Sequence, residues 1–311
     1  MNPQRTLDPE IAALLEISAL MHGNALVPSD VATARERIAQ EARTASAPPP
    51  PVAHEDRVIP SPAGPLAARL YVPPGIPSPA PGIVFFHGGG WATGSVATHD
   101  GLCRRLAHEA RCRVISVEYR LAPEHPFPAA AEDAVAAARF ILAHAAGFGL
   151  DPARIAVAGD SAGGNLSAVI AHETRRDAHR PRLQVLIYPA LDLTLSAESH
   201  RTYAEGYLLT RHLLEWYQGH YLRDGDARDP RASPLFYVES TDVPALVYTA
   251  GFDPLRDEAR LYADRLRTAG TPVTYREFPG LVHGFALMTA LAAPLAATNA
   301  IAADIRRELA G

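Results

Sequence analysis

Ser161 stands in Gly159-Asp160-Ser161-Ala162-Gly163, a G-x-S-x-G pentapeptide, and a serine so placed has the makings of a nucleophile. The apolar run Ile155-Ala156-Val157-Ala158 before it reads as a strand buried on both faces. The stretch after it, through Ala171, reads as a helix. A turn this tight between strand and helix holds its serine in a strained backbone conformation, with Oγ clear of the sheet. The flanking positions must be glycine, because a Cβ at either would collide with the neighbouring strand and helix. Acyl transfer then needs a base for the hydroxyl proton, an acid group to orient the base, and donors for the oxyanion.

Parallel sheets place chemistry at the carboxyl ends of their strands, so the partners are sought in loops that leave a strand. Asp253 follows the apolar run Ala245 to Ala250, and Pro254 is expected to occupy the first helical turn and keep Asp253 out of the helix. The same aspartate would serve as a helix cap in a non-enzyme. Asp257 and Glu258, one turn on, are expected to complement the helix dipole or face solvent. Of the 13 histidines, His283 follows a strand and lies C-terminal to Asp253, giving the chain order Ser, Asp, His that suits this turn. Gly280 and Gly284 give its loop freedom. The glycine-rich segment His87-Gly88-Gly89-Gly90-Trp91 follows the first core strand. Gly89 and Gly90, with the amide of Ala162, are the expected oxyanion donors; Gly88 is less suited, and His87 is read as pinning the loop. Asp160 is read as holding the turn by hydrogen bonding. Hydrolysis is expected to rise with pH between about 5 and 8, as the imidazole becomes able to accept a proton.

Composition narrows the alternatives. The formal charge is −5, with 29 cations against 34 anions, and no dense basic run points to nucleic acid. The chain has no lysine at all, which removes Schiff-base, phosphate-loop and lysine-activated serine chemistry. Neither a G-x-G-x-x-G nor an H-E-x-x-H spacing occurs, so no phosphate loop and no metal is expected. Cys103 and Cys112 fit neither a metal nor a redox pattern and are expected to be reduced, partly buried thiols. No apolar run approaches the ~20 residues of a membrane span, and the acidic, mixed first residues carry no secretory pattern. The expectation is a cytoplasmic protein with no membrane partner.

The elements that must position these groups are also legible. Apolar residues at helical spacing from Ile11 to Leu20, then at Val31 and Ile38, predict two helices broken at Val27-Pro28, the second capped by Ser29 or Asp30. Pro48 to Pro51 form a stiff connector, followed by a hairpin of Asp56–Pro60 and Leu66–Val72. From Ile83 onward strands and helices alternate, implying a mostly parallel sheet covered on both faces. Residues 190–234 interrupt the alternation, with Trp216 and Tyr217 placed at the end of a helix. The segment Ala286 to Ala303 reads as a docked terminal helix.

HGGGW, GDSAGGNL, DPLRDE and HGF, in this order, resemble the bacterial hormone-sensitive-lipase-like carboxylesterases of the α/β-hydrolase fold. VEYRLAPEHPFPAAAED is similar to a further stretch typical of that family, and the match runs from Val58 to Gly284. The resemblance implies the triad Ser161, Asp253 and His283, no cofactor, and short- to medium-chain acyl esters as substrates. It also implies a core of 51–189 and 235–311, under a cap built from 1–50 and the insertion 190–234. From the residues alone, the candidates for substrate binding in the acyl pocket are Trp91, Tyr188, Tyr207, Leu208, Leu209 and Phe285, and for any one of them core packing is the favoured reading. Hydrolysis of lactones, amides or ester drugs would use the same machinery. A non-catalytic small-molecule receptor on this scaffold is disfavoured by the presence of His283. The sequence leaves a homodimer open.

Overall fold

The computed structural model of the chain describes residues 5–22, 27–239 and 243–310. An antiparallel hairpin of β1 (Ala53–Ile59) and β2 (Leu66–Val72) leads into the sheet. The strands that follow are β3 (Ala80–Phe86), β4 (Arg113–Val117), β5 (Leu150–Asp160), β6 (Leu183–Ile187), β7 (Ala245–Phe252) and β8 (Val273–Val282). They join one eight-stranded sheet in the order β1-β2-β4-β3-β5-β6-β7-β8, parallel from β4 to β8. The architecture is the α/β-hydrolase fold that the motifs implied.

Period-two alternation in the central strands feeds two apolar layers. Val84, Phe86 and Val157 face helices α4 (Ala129–Ala143) and α5 (Ala162–Thr174). Ile83, Phe85, Ala156 and Ala158 face α3 (Asp100–Ala110) and α9 (Ala292–Leu309). Helix α8 (Arg256–Thr268) joins the α5 side through Ala259, Tyr262 and Leu266. Each fully buried large side chain here, Phe85 and Phe86 among them, contributes about 1.5–3 kcal/mol. These layers make the sheet a rigid floor for loops at its carboxyl edge.

Two segments lie over that edge. The first holds α1 (Pro9–His22) and α2 (Val31–Thr44). Asp30 caps α2, its Oδ1 accepting the Thr33 amide at 2.8 Å. Arg35 pins α2 down: Nε donates to the Ala92 carbonyl at 2.9 Å, Nη2 to the Ala122 carbonyl at 3.0 Å, and the fork takes both oxygens of Glu124 at 2.7 Å each. The second segment is 190–234, with α6 (Ser199–Thr202) and α7 (Arg211–Leu222).

Several boundaries differ from expectation. Trp216 and Tyr217 sit in the middle of α7, because Thr210 starts the helix by accepting the Leu213 amide. The last helix begins at Ala292, with Pro294 in its first turn, and residues Phe285–Leu287 form a short 3-10 turn instead. Helix α8 starts at Arg256, which leaves Pro254 in the preceding turn. Cys103 and Cys112 are free and wholly buried, not partly so. Among the described residues, no helix is long and apolar enough to cross a membrane.

Candidate active site

Strand β5 ends at Asp160 and α5 begins at Ala162, so Ser161 alone makes the turn between them. Its φ of +53° and ψ of −116° are strained for a residue with a Cβ. The turn is held by the Ser161 amide donating to the Ile187 carbonyl at 2.9 Å. A Cβ on Gly163 would lie 1.8 Å from the Phe86 carbonyl oxygen, and one on Gly159 would lie 2.3 Å from the Gly163 backbone. Strand and helix approach so closely that only glycine fits at both flanks.

His283 leaves the end of β8, where Gly284 at φ +80° reverses the chain. Its Nε2 is 3.0 Å from Ser161 Oγ, and its Nδ1 is 2.8 Å from Asp253 Oδ2. Asp253 is fully buried, and its Oδ1 accepts the Leu255 amide at 2.8 Å. A carboxylate only accepts, so these partners assign the hydrogen to Nδ1 and leave Nε2 to receive a proton from the serine. Sequence order predicted this meeting of three loops, and the geometry brings all three residues together.

The loop after β3 turns over the same point. Gly89 and Gly90 have φ of +116° and +57°, and both line the cavity beside Ser161 and His283. A Cβ on Gly90 would lie 2.3 Å from the Tyr217 ring. Ala162, the other expected donor, opens α5 with its amide at the helix N-terminus. The Gly88 amide is committed elsewhere, donating to Asp160 Oδ1 at 2.9 Å. Asp160 therefore ties the glycine loop to the turn of the nucleophile. Burial works to raise its carboxyl, but His99, 3.2 Å away, and the Gly88 amide hold it below the ordinary range. His87 is buried, stacks on Tyr119 with centroids 4.3 Å apart, and holds the Gly88 carbonyl through Nδ1 at 2.8 Å. Its part in shaping the loop matches the expectation.

The burial of two polar groups was not foreseen from the sequence. His99 sits in a helix-leading segment with no motif to mark it. Glu258 stands in the first turn of α8, where a carboxylate complements the helix dipole as expected, but it does not face solvent: it is buried and accepts the Leu191 amide at 2.6 Å and the Asp192 amide at 3.2 Å. Its other oxygen meets His200 Nε2 at 2.7 Å. Burial pushes the Glu258 carboxyl up, against the pull of His200. The insertion folds down onto the first turn of α8, and that packing, invisible in local sequence, encloses the side chain. Ser199 adds a bond to the Pro254 carbonyl at 2.5 Å.

The cavity above Ser161 measures about 530 Å³ and is mostly apolar. Trp91, Tyr188, Leu208 and Leu209 line it, as expected. Tyr207 and Phe285 do not: Tyr207 stacks on Phe252 at 5.3 Å, and Phe285 is fully buried edge-on to Tyr188 at 5.0 Å. Phe285 is a core residue, and Tyr207 is half-buried and packs against the core from outside the cavity. The helices over the sheet supply walls that no motif marked, including Leu14 and Ile17 of α1, Ile38 of α2, and Leu213 and Tyr217 of α7. Among the described residues, no cluster of three or more His, Cys, Asp or Glu side chains is arranged to hold a metal ion.

Comparison with known proteins shows the family of the chain. The family described as alpha/beta hydrolase fold matches residues 83–287. The carboxylic ester hydrolase LipN of Mycobacterium tuberculosis is 43% identical over 315 residues, covering 98% of this chain and 84% of that protein. The ethyl acetate hydrolase of Pseudomonas putida is 42% identical over 229 residues, 72% of each chain. Among solved structures, an ester hydrolase from the metagenome of Lake Arreo, complexed with a derivative of bipyridine phosphonate, is similar with a TM-score of 0.93 at 42% identity. That match covers 98% of this chain and 100% of the other.

Proposed function

The chain belongs to the hormone-sensitive-lipase-like carboxylesterases of the α/β-hydrolase fold, and from that premise we propose that it hydrolyses short- to medium-chain carboxylic esters through an acyl-enzyme on Ser161. The observation that carries this reading is the continuous hydrogen-bonded line from Ser161 Oγ through His283 to Asp253, at 3.0 and 2.8 Å.

In the first half-reaction Ser161 Oγ attacks the ester carbonyl carbon while His283 Nε2 takes the hydroxyl proton. The carbonyl π electrons move to oxygen, and the amides of Gly89, Gly90 and Ala162 stabilise the resulting oxyanion. Asp253 keeps the imidazolium oriented. The C–O bond to the alcohol then breaks, and His283 returns its proton to the departing alkoxide. Water repeats the sequence on the acyl-serine, releasing the acid and restoring Ser161. Residues 1–50 and 190–234 act as a cap over a core of 51–189 and 235–311, excluding bulk water from the oxyanion. The apolar walls favour uncharged substrates of modest size. Reduced, buried Cys103 and Cys112 fit a cytoplasmic setting.

The test is active-site titration with an organophosphonate, followed by peptide mass analysis. One equivalent should attach to Ser161 with loss of activity, and Ser161→Ala should take none. Full inhibition with the label on another residue would overturn the assignment.

A further inference from the structure

Seven non-glycine residues among the described ones have positive φ, and five of them, Trp91, Ser161, Tyr188, Leu195 and Leu208, line the cavity. A side chain in that region costs on the order of 1 kcal/mol and persists only where its surroundings over-determine it. The turn of the nucleophile accounts for Ser161. Leu208 has a different cause. At φ +66° it is the centre of a three-residue turn closed by the Leu209 amide on the Tyr207 carbonyl at 2.9 Å, a rare and strained form of γ-turn. The turn is clamped from outside the cavity. Tyr207 stacks on Phe252, next to Asp253, and the Arg211 amide closes the loop on the Ala204 carbonyl at 2.9 Å.

The turn sends two successive leucines into different layers. Leu208 packs with the layer that holds Tyr188 and Phe285. Leu209 packs with the layer that holds Trp91, Leu213 and Tyr217. The Tyr188 ring lies 4.7 Å from that of His283 and belongs to the cluster against which Leu208 packs. On the opposite side, Gly90 abuts Tyr217. His283 must hand its proton to the departing alcohol oxygen, so the alcohol half of the ester lies toward the imidazole. The acyl half, with its carbonyl oxygen on the glycine loop, would then lie on the side of Gly90 and Tyr217, with whose cluster Leu209 packs.

We propose that Leu208 is the specificity-determining residue for the alcohol half of the substrate and Leu209 for the acyl half, the strained turn being the partition between them. This rests on the acyl-enzyme reading of Ser161. It makes adjacent residues answer to opposite ends of the ester bond.

Two substrate series test it: acetates of ethanol, cyclohexanol and 1-phenylethanol, and p-nitrophenyl esters from acetate to laurate. Leu208→Gly, in which the backbone strain is relieved, and Leu208→Ala should each raise kcat/KM for cyclohexyl over ethyl acetate about tenfold, the scale of a pocket contact worth one or two methylenes. Their preference within the acyl series should move by less than about threefold. Leu209→Ala should show the reverse pattern. The use of two Leu208 variants guards against one failing to fold. A larger shift in the acyl series than in the alcohol series for the Leu208 variants, or a shift in neither, overturns the partition. Organophosphonate labelling separates the two failures. A parent chain that takes no label at Ser161 refutes the acyl-enzyme, whereas labelled variants with the wrong selectivity refute only the roles of the two leucines.

Discussion

Asp160 Oδ1, one residue before the nucleophile, accepts the Gly88 amide at 2.9 Å and thereby joins the loop after β3 to the turn after β5. The proposed oxyanion donors and the proposed attacking hydroxyl thus lie on two segments tied together by one carboxylate. Asp160→Asn keeps the volume but weakens this charge-assisted bond, so the glycine loop should lose its alignment. Turnover should drop by about 10- to 100-fold with KM changed much less, alongside a lower thermal midpoint. Steady-state kinetics on a folded variant with kcat intact would remove Asp160 from this role.

Ser161→Ala should lower turnover by on the order of 10⁴ or more and leave the fold intact. The φ of +53° adds a stability prediction. Ser161→Gly should unfold at a higher denaturant concentration than Ser161→Ala, by about 1 kcal/mol, since only glycine adopts this conformation freely. Urea melts of the two inactive proteins compare them directly, and alanine proving equal or better would deny the strain.

Gly163→Ala brings a Cβ to 1.8 Å from the Phe86 carbonyl oxygen, where both neighbours are backbone. Strand β3 and helix α5 cannot both stay in place, and a loss above about 4 kcal/mol is expected. Urea melts should show it, or the variant should be recovered only as aggregate. Normal stability would mean that the turn relaxes more readily than its packing implies.

The Arg35 fork holds the Glu124 carboxyl at about 2, below its usual 4.5. A depressed carboxyl contributes stability that is fully present above 4.5 and is lost as pH falls toward 2. The partners are 34% and 54% exposed, so screening keeps the contribution below about 1 kcal/mol. The midpoint difference between the parent chain and Glu124→Gln should therefore be constant at neutral pH and shrink between about pH 5 and about 3. A difference unchanged at about pH 3 would show that the fork does not link α2 to the core.

How much of this was legible depended on whether function was written locally. Ser161, Asp253 and His283 each end a strand within a short motif, so type, spacing and order sufficed. Gly159 and Gly163 were readable for the same reason, since a close approach of strand and helix demands glycine. Tyr207 and Phe285 were misplaced because an apolar side chain looks the same whether it faces a cavity or a core. Only the fold of 190–234 sends Leu208 and Leu209 inward and Tyr207 outward. The burial of Glu258 and of His99 was not legible because burial of a polar residue is decided by segments remote in sequence. Among the cavity walls, α1 and α2 were recognisable as helices, but their inner faces depend on how Arg35 and its partners seat them.

Cys103 and Cys112 have no solvent contact, and burial pushes the Cys112 thiol up to about 12. Neither can meet an alkylating reagent while α3 and β4 stay closed. Their rate of modification is therefore an internal clock for opening of this side of the sheet, readable by mass without any added probe. Because Cys103 lies in α3, which packs on α9, while Cys112 precedes β4, the two sulfurs would time the release of a helix and of a strand separately.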